Sequence, residues 1–357
     1  MARWWLLGLA AALGAFAAYL LFWPVPIDPA RWNPPEAPAL AGASAQNDVL
    51  ATVERLDVGL GPESVAVDAS GDLFCGLEDG SIVRWSAGAA ETIATIDGRP
   101  LGMGFDSHGE LIVCDLYGRL LAVGGSGEVR ELATEVGGVP LGLVNDLDIA
   151  ADGTIYFSES STETTDTLLD LLEHRGNGRL LAYDPRTGEA RVLLDGLYYA
   201  NGVALSVDGS FVLAVETTEY RVRRLWLSGP RQGEDEVFVE NLPGFPDGIS
   251  CDDEGVFWLA LMNPRNGFVD WAAGRPWIRK VAARLPLARF SGAAPRYGFV
   301  LGLDADGNVI HNLQDPSGKG YAGISSVLRV GEVLYLGSLL EDSVGRLSLD
   351  VGVETAP

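Results

Sequence analysis

From about residue 50 the chain alternates apolar and polar positions with a period of two, and Asp-Gly, Asp-x-x-Gly and Gly-x turns interrupt it at short intervals. The runs GDLFCGLEDGSIVRW, GELIVCDLYGRLLAV and GTIYFSES predict inner strand pairs joined by hairpins, and GRLLAYDPRTGEARVL predicts an outer hairpin turning at DPRTG. Helical periodicity is scarce. Five stretches share one register: a loop-to-strand junction, a short apolar strand, and a turn glycine eight positions on. They are Glu63 to Gly71, Leu101 to Gly109, Asn145 to Gly153, Asn201 to Gly209 and Asp247 to Gly255, with a degenerate sixth from Gly323 to Gly331. Four-stranded units recurring at about 40–50 residues are the pattern of a propeller. The expectation is therefore an all-β, six-bladed β-propeller over residues 49–357. A β-sandwich, the alternative, does not repeat an eight-residue register five times. The strand near Thr52 to Val58 is expected to pair with the last blade around Gly345 to Leu349 and close the ring.

Three segments depart from this rhythm. Trp4 to Trp23 is twenty residues without a charge, long enough to cross a bilayer, with tryptophans and Tyr19 toward its ends. Residues 1–23 are expected to be a transmembrane anchor, with Arg3 favouring a cytoplasmic N-terminus. A cleaved signal peptide is the rival, since Ala15-Phe16-Ala17 resembles a cleavage site. The apolar run continues past that site through Leu20, Leu21 and Phe22, which favours the anchor. Either way the body is expected outside the cytoplasm. Residues 24–48 hold six prolines and read as an extended linker. Thr162 to Arg175 interrupts blade three, and Asn263 to Leu287 interrupts blade five with an amphipathic WIRKVAARL segment. Insertions of this kind lie over one face, as walls or lid of a pocket.

In a propeller the innermost strands line a central channel, and their first residues meet near one mouth. Four of the six starts, Glu63, Asn145, Asn201 and Asp247, carry a side-chain oxygen at the same register. Two carboxylates and two amide oxygens make an all-oxygen, doubly negative set of the kind calcium takes, with water completing six to eight positions. Zinc would call for histidine or cysteine. The competing reading is that polar residues at such corners only cap turns; four at one register argue otherwise.

Composition narrows the partners. A formal net charge of −24 argues against nucleic acid and against an anionic membrane surface. It suits a soluble acidic body whether or not a cation is bound. Cys75, Cys114 and Cys251 show no zinc spacing; buried free thiols are the main reading, and one disulfide remains open because nothing selects a pair.

The runs VNDLDIAADGTIYFSESS, GRLLAYDPRTGEARVLLDGLYYANGVALSVDGSFVLAVETTEYRVRRLWLSGP and NLPGFPDGISCDDEGVFWLAL resemble the strictosidine synthase-like family. The likeness spans Val58 to Leu349. It extends to a branch with a single N-terminal membrane anchor and an insertion similar to GRPWIRKVAARL. The wider superfamily includes paraoxonase-type and gluconolactonase-type calcium hydrolases. The resemblance implies a six-bladed propeller and places Glu63, Asn145, Asn201 and Asp247 on calcium-ligand positions. Where paraoxonases have an asparagine after the aspartate, this chain has Gly248, so one ligand of that set is missing. The plant synthase uses a glutamate in the last blade, and the matching stretch here, GYAGISSVLRVGEVLYLG, has Ala322 and Ser325 at its strand start, with Glu332 in the following turn. Strictosidine synthesis itself is not expected.

The function expected is a calcium-dependent hydrolase of esters or lactones, in which the cation polarises the carbonyl. Asp247 and Glu63 are candidates for nucleophile or base, and His174, in the blade-three insertion, for contact with substrate. Asp146 is a candidate to support the ligands. Asp115 and Tyr117 are candidates to line the same mouth. His108 reads as a surface-turn residue, His311 as structural, and Glu216 as a buried partner of Arg223 or Arg224. The other hypotheses are a membrane-tethered binding propeller with structural calcium, and a metal-free condensing or isomerising enzyme.

Overall fold

The computed structural model describes residues 2–285 and 295–349. The last two positions of the Asn263–Leu287 insertion and the end of the 49–357 body therefore lie outside the described residues. Six four-stranded antiparallel sheets make a six-bladed β-propeller. The innermost strands are Val65–Val67, Pro100–Phe105, Leu143–Ile149, Ala200–Leu205, Gly244–Cys251 and Ile324–Val330, and each touches the next in cyclic order, the sixth meeting the first. Glu54–Asp57 forms the outer strand of the sixth sheet, with Glu54 opposite Arg346 and Asp57 opposite Ser343. The chain's first strand thus closes the ring on its last.

Period-two alternation builds this ring because each sheet is covered on both faces by its neighbours. In Phe211–Glu216, the side chains of Phe211, Leu213 and Val215 pack toward blade five, while Val212 and Ala214 pack toward blade three. Six apolar clusters fill the six gaps between blades. The closing glycine of the repeat adopts the left-handed conformation in all six copies, from φ 58° at Gly331 to φ 88° at Gly153. Only glycine takes that turn without steric cost. Aspartates ahead of it complete the turn: Asp68 Oδ1 accepts from the backbone N–H of Ser70 and Asp72, and Asp252 Oδ1 from Glu254 and Val256. Cys75 and Cys114 are buried, Cys251 is half-buried, and none of the three is disulfide-bonded. Burial pushes the Cys75 and Cys251 thiols up to about 12.

Among the described residues four α-helices stand apart from the sheets. Helix α1, Ala2–Phe22, is long and apolar enough to cross a membrane, and the span Trp4–Phe22 has no buried residue. Helix α2, Thr167–Glu173, fills the blade-three insertion; Asp166 caps its start by accepting from Leu169 N–H. Helices α3, Gly267–Ala273, and α4, Pro276–Ala282, fill the blade-five insertion, with Asn266 capping the former and Pro276 opening the latter. Residues 24–48 run extended between α1 and the propeller and are held along the way. Ala30 N–H donates to Glu173 O, Trp32 N–H to Ala273 O, and Asn241 Nδ2 to Glu36 O.

Candidate metal centre and pocket

Glu63, Asn145, Asn201 and Asp247, from four different blades, all line the floor of one cavity of about 780 Å³. The two asparagines are each fixed by their own blade. Asn145 Nδ2 donates to Ser160 Oγ at 2.9 Å, and that hydroxyl donates to Ala200 O at 2.6 Å. Asn201 Nδ2 donates to Thr217 Oγ1 at 3.1 Å, and that hydroxyl donates to Pro246 O at 2.8 Å. Both amides thus spend their nitrogen on the neighbouring strand. Glu63 carries its side chain 12% exposed, 3.8 Å from Arg99 Nε, and its Oε2 is buried without a hydrogen-bond partner.

The two carboxylates repel and are poorly solvated. Burial pushes Glu63 up to about 7, against a partial offset from the Arg99 charge. Burial also raises Asp247 well above the usual carboxylate range, and the charge of Glu63 adds to the rise. The Arg99 charge offsets the burial of Glu63 only in part, so the anionic floor is under-compensated. Among the described residues no group of three or more His, Cys, Asp and Glu side chains has metal-binding spacing. The floor offers two carboxylates and two amides instead.

The positions after Asn201 and Asp247 are constrained by the adjacent inner strand. A Cβ at Gly202 would lie 2.5 Å from Ile249 N, and one at Gly248 would lie 2.5 Å from Ser325 O. No side chain fits at 248, so the asparagine expected there from the paraoxonase pattern has no room in this ring. Replacing Gly248 with alanine is expected to cost about 2–3 kcal/mol, read as a lowered unfolding midpoint in urea, because the contact is backbone that cannot rotate away.

The insertions wall the cavity. Leu168, Leu171 and Leu172 of α2, Phe268 and Val269 of α3, and Ile278 and Val281 of α4 line it above the polar floor. Arg279 ties these walls together. It is buried, and its guanidinium donates to Leu172 O, to Ala273 O and to Ala30 O. Carbonyls at the ends of α2 and α3 supply the partial negative charge that a buried guanidinium needs. His174 also lines the cavity. Its Nε2 lies 3.1 Å from Glu219 Oε1, and its ring stacks on Trp32 at 4.4 Å between centroids.

Asp146 points to a separate cavity of about 250 Å³ that it lines with Asp148. There Asp146 Oδ2 accepts from Val203 N–H at 3.0 Å, and burial raises Asp146 to about 7. Asp115 and Tyr117, expected at the mouth, do not line the main cavity; Leu116 between them does. Leu116 and Tyr117 lie in the turn after the strand that ends at Asp115, and there Leu116 faces the cavity while Tyr117 faces solvent, 60% exposed. Asp115 is fully buried, paired with Arg119 at 2.6 Å, and accepts from Arg99 N–H. His108 lies on the surface beside Asp106, and His311 stacks on Trp258. Glu216 pairs with Arg221 at 2.5 Å and lies 3.9 Å from Arg223, whereas Arg224 pairs with Glu236.

Asp115 belongs to a recurring device that reading along the chain did not find. Asp115, Glu159, Glu216 and Glu341 are buried acids, each paired with arginine: Arg119, Arg179, Arg221, and Arg55 with Arg296. Each also accepts a backbone N–H just ahead of an inner strand, from Arg99, Gly142, Tyr198 and Ala322 respectively. The loops that deliver Leu101, Asn145, Asn201 and Gly323 are therefore pinned by one repeated contact. A signal was present in the spacing, since Asp115–Arg119 and Glu216–Arg221 recur at the end of a second strand. The twenty-residue gap from Glu159 to Arg179, opened by the insertion, hides the third copy.

The fold and floor define a six-bladed propeller with an oxygen-lined pocket under a helical cover. Residues 145–230 match the strictosidine synthase family, and residues 42–85 match the strictosidine synthase-like N-terminal family. Human adipocyte plasma membrane-associated protein is 39% identical over 91% of this chain and 84% of its own length. Arabidopsis thaliana strictosidine synthase-like 10 is 37% identical over 86% of this chain and 90% of its own. The chain belongs to the strictosidine synthase-like family. Among solved structures, a gluconolactonase from Xanthomonas campestris superposes with a TM-score of 0.62 at 17% identity, covering 91% of this chain and 97% of that one. Regucalcin, a calcium-binding protein from Agrobacterium tumefaciens, gives 0.60 at 17% identity, covering 87% and 97%. At that identity these likenesses speak to the fold.

Proposed function

We propose that this protein is a membrane-anchored, calcium-dependent hydrolase of esters or lactones, with Glu63, Asn145, Asn201 and Asp247 holding the cation. The observation that carries the reading is the floor itself: four oxygen-bearing side chains from four blades, with Glu63 Oε2 buried and unpartnered beneath an apolar cavity. An orphaned buried carboxylate oxygen costs free energy that a bound cation removes. The donor set suits a hard cation and lacks the histidine or cysteine that zinc takes. The gluconolactonase and calcium-binding regucalcin among similar folds support the same direction.

Bound there, calcium would supply Lewis acidity toward a substrate carbonyl. The chain's own groups do the rest. Leu101, Leu168 and Phe245 hold the apolar part of a substrate, and the cover of α2, α3 and α4 excludes bulk water. Arg99, beside Glu63, orients a polar substrate oxygen. Asp247 and Glu63 carry the raised proton affinities on the floor, so the acceptor for the proton of an attacking water is drawn from this pair. With Nε2 committed to Glu219, His174 serves as a positioning residue that holds α2 against Trp32. Among the described residues blade six contributes Leu339 to the cavity lining. The anchor would be α1, with Arg3 keeping the N-terminus cytoplasmic and the propeller on the other side.

The purified full chain, in detergent, is expected to turn over arylesters or lactones, to lose turnover on chelation and to recover it with added calcium. Turnover indifferent to chelation would remove the cation from the mechanism. Calcium-raised melting with no turnover on any ester or lactone would leave a membrane-tethered binding propeller.

A further inference from the structure

The cover of the pocket ends in an apolar face that is left exposed among the described residues. Phe268 is 66% exposed, Trp277 62%, Trp271 46% and Val269 44%. They cluster on two adjacent seven-residue helices, α3 and α4, whereas exposed large apolar residues elsewhere on the propeller are scattered singly. This face is joined to the segment long enough to cross a membrane. Arg284, two residues past α4, donates through Nη1 to Leu20 O at 2.9 Å and through Nε to Trp23 O at 2.6 Å. Tyr19 donates its hydroxyl to Arg284 O at 3.1 Å. These contacts clamp the end of α4 to the last turn of α1.

The clamp sets a height. A helix of 21 residues is about 31 Å long, close to the thickness of the hydrocarbon core. With α1 spanning, its last turn lies at the boundary between acyl chains and headgroups, and α4 is held at that level. Tryptophan and phenylalanine on one face of a short helix are the side chains that layer accepts. We infer that α3 and α4 form a second membrane-seating surface, which rests in the zwitterionic headgroup layer of the bilayer that α1 crosses. The net charge of −24 disfavours an anionic surface.

Phe268 and Val269 line the cavity as well as being exposed, so they stand at its mouth. The pocket therefore opens at the lipid boundary, and its ligands are amphiphiles that enter from the leaflet. Under the proposed function, which this last step rests on, the substrates are esters or lactones carrying a long apolar chain. The seating itself is independent of turnover.

The test uses the full chain in phosphatidylcholine vesicles, in a Cys251→Ser background that removes the half-buried thiol. An environment-sensitive nitrobenzoxadiazole probe is attached at Trp277→Cys or, as a second position, at Phe268→Cys. The reference position is Val207→Cys, exposed in the turn at the opposite end of blade four's inner strand. Nitroxide lipids labelled near the headgroup are expected to quench the probe on α3 or α4 about threefold more strongly than at Val207, with blue-shifted emission. Equal, weak quenching at all positions overturns the inference. A blue shift without nitroxide quenching also overturns it, by showing that a second protein copy covers this face. Quenching with no ester or lactone turnover upholds the membrane seat and removes only the substrate class.

Discussion

Asp247→Asn is expected to abolish calcium-dependent turnover, by at least about 100-fold in kcat, while making the calcium-free protein more stable at pH 8. The first effect follows if one of only two anionic ligands is lost and Lewis-acid stabilisation, worth several kcal/mol, goes with it. The second follows from the repulsion between Asp247 and Glu63 on a desolvated floor. Burial in the folded chain pushes Glu63 up from its ordinary 4.5 to about 7. Below pH 4.5 it is protonated in both states and costs nothing. As pH rises from 4.5 through about 7 the unfolded chain ionises first, and the folded state loses roughly 3 kcal/mol. The calcium-free protein should therefore lose stability across that window, and Asp247→Asn should weaken the loss. Calcium reverses the trend, since protons compete with it for the same oxygens. Thermal unfolding from pH 4 to 8, with calcium and with chelator, reads both. A metal-free protein whose stability rises through this window would contradict the electrostatics described.

Glu216→Ala is expected to destabilise the fold by about 2–3 kcal/mol, because two half-buried arginines lose a buried carboxylate and a backbone donor loses its acceptor. Arg221 and Arg223 lose their shared carboxylate, and Tyr198 N–H loses its acceptor. Tyr198 lies three residues ahead of Asn201, so the variant should also weaken calcium binding without touching a ligand. Glu216→Gln keeps an acceptor for Tyr198 N–H and should lose less affinity than stability. Urea unfolding checks the first part, and calcium titration of the folded variants checks the second. A loss under about 1 kcal/mol would mean that the pair is solvated and that the strand start is held by other contacts.

What was legible in the chain was local. A turn glycine forced into the left-handed region and a short apolar strand before it are properties of nine consecutive residues, so the six inner strands and the closing partner of Glu54–Asp57 could be read directly. The same register brought Glu63, Asn145, Asn201 and Asp247 to one floor, because symmetry converts equal sequence positions into neighbouring ones. Contacts that cross between loops were not legible. Arg99 N–H reaching Asp115, or Arg279 reaching carbonyls of α2, α3 and Ala30, depends on donors and acceptors common to every residue. Tyr117 was misplaced by one position, which in a strand-flanking segment exchanges cavity for solvent. The proline-rich run gave its extended backbone away, but not that Trp32 would stack on His174.

The most direct measurement is the stoichiometry of calcium on the full-length protein, by calorimetric titration beside Asp247→Asn. One ion per chain in the parent, and heat lost in the variant, is the result expected from four oxygens on one floor. No binding in the parent, or binding that Asp247→Asn leaves unchanged, would contradict the assignment of this floor as the cation site.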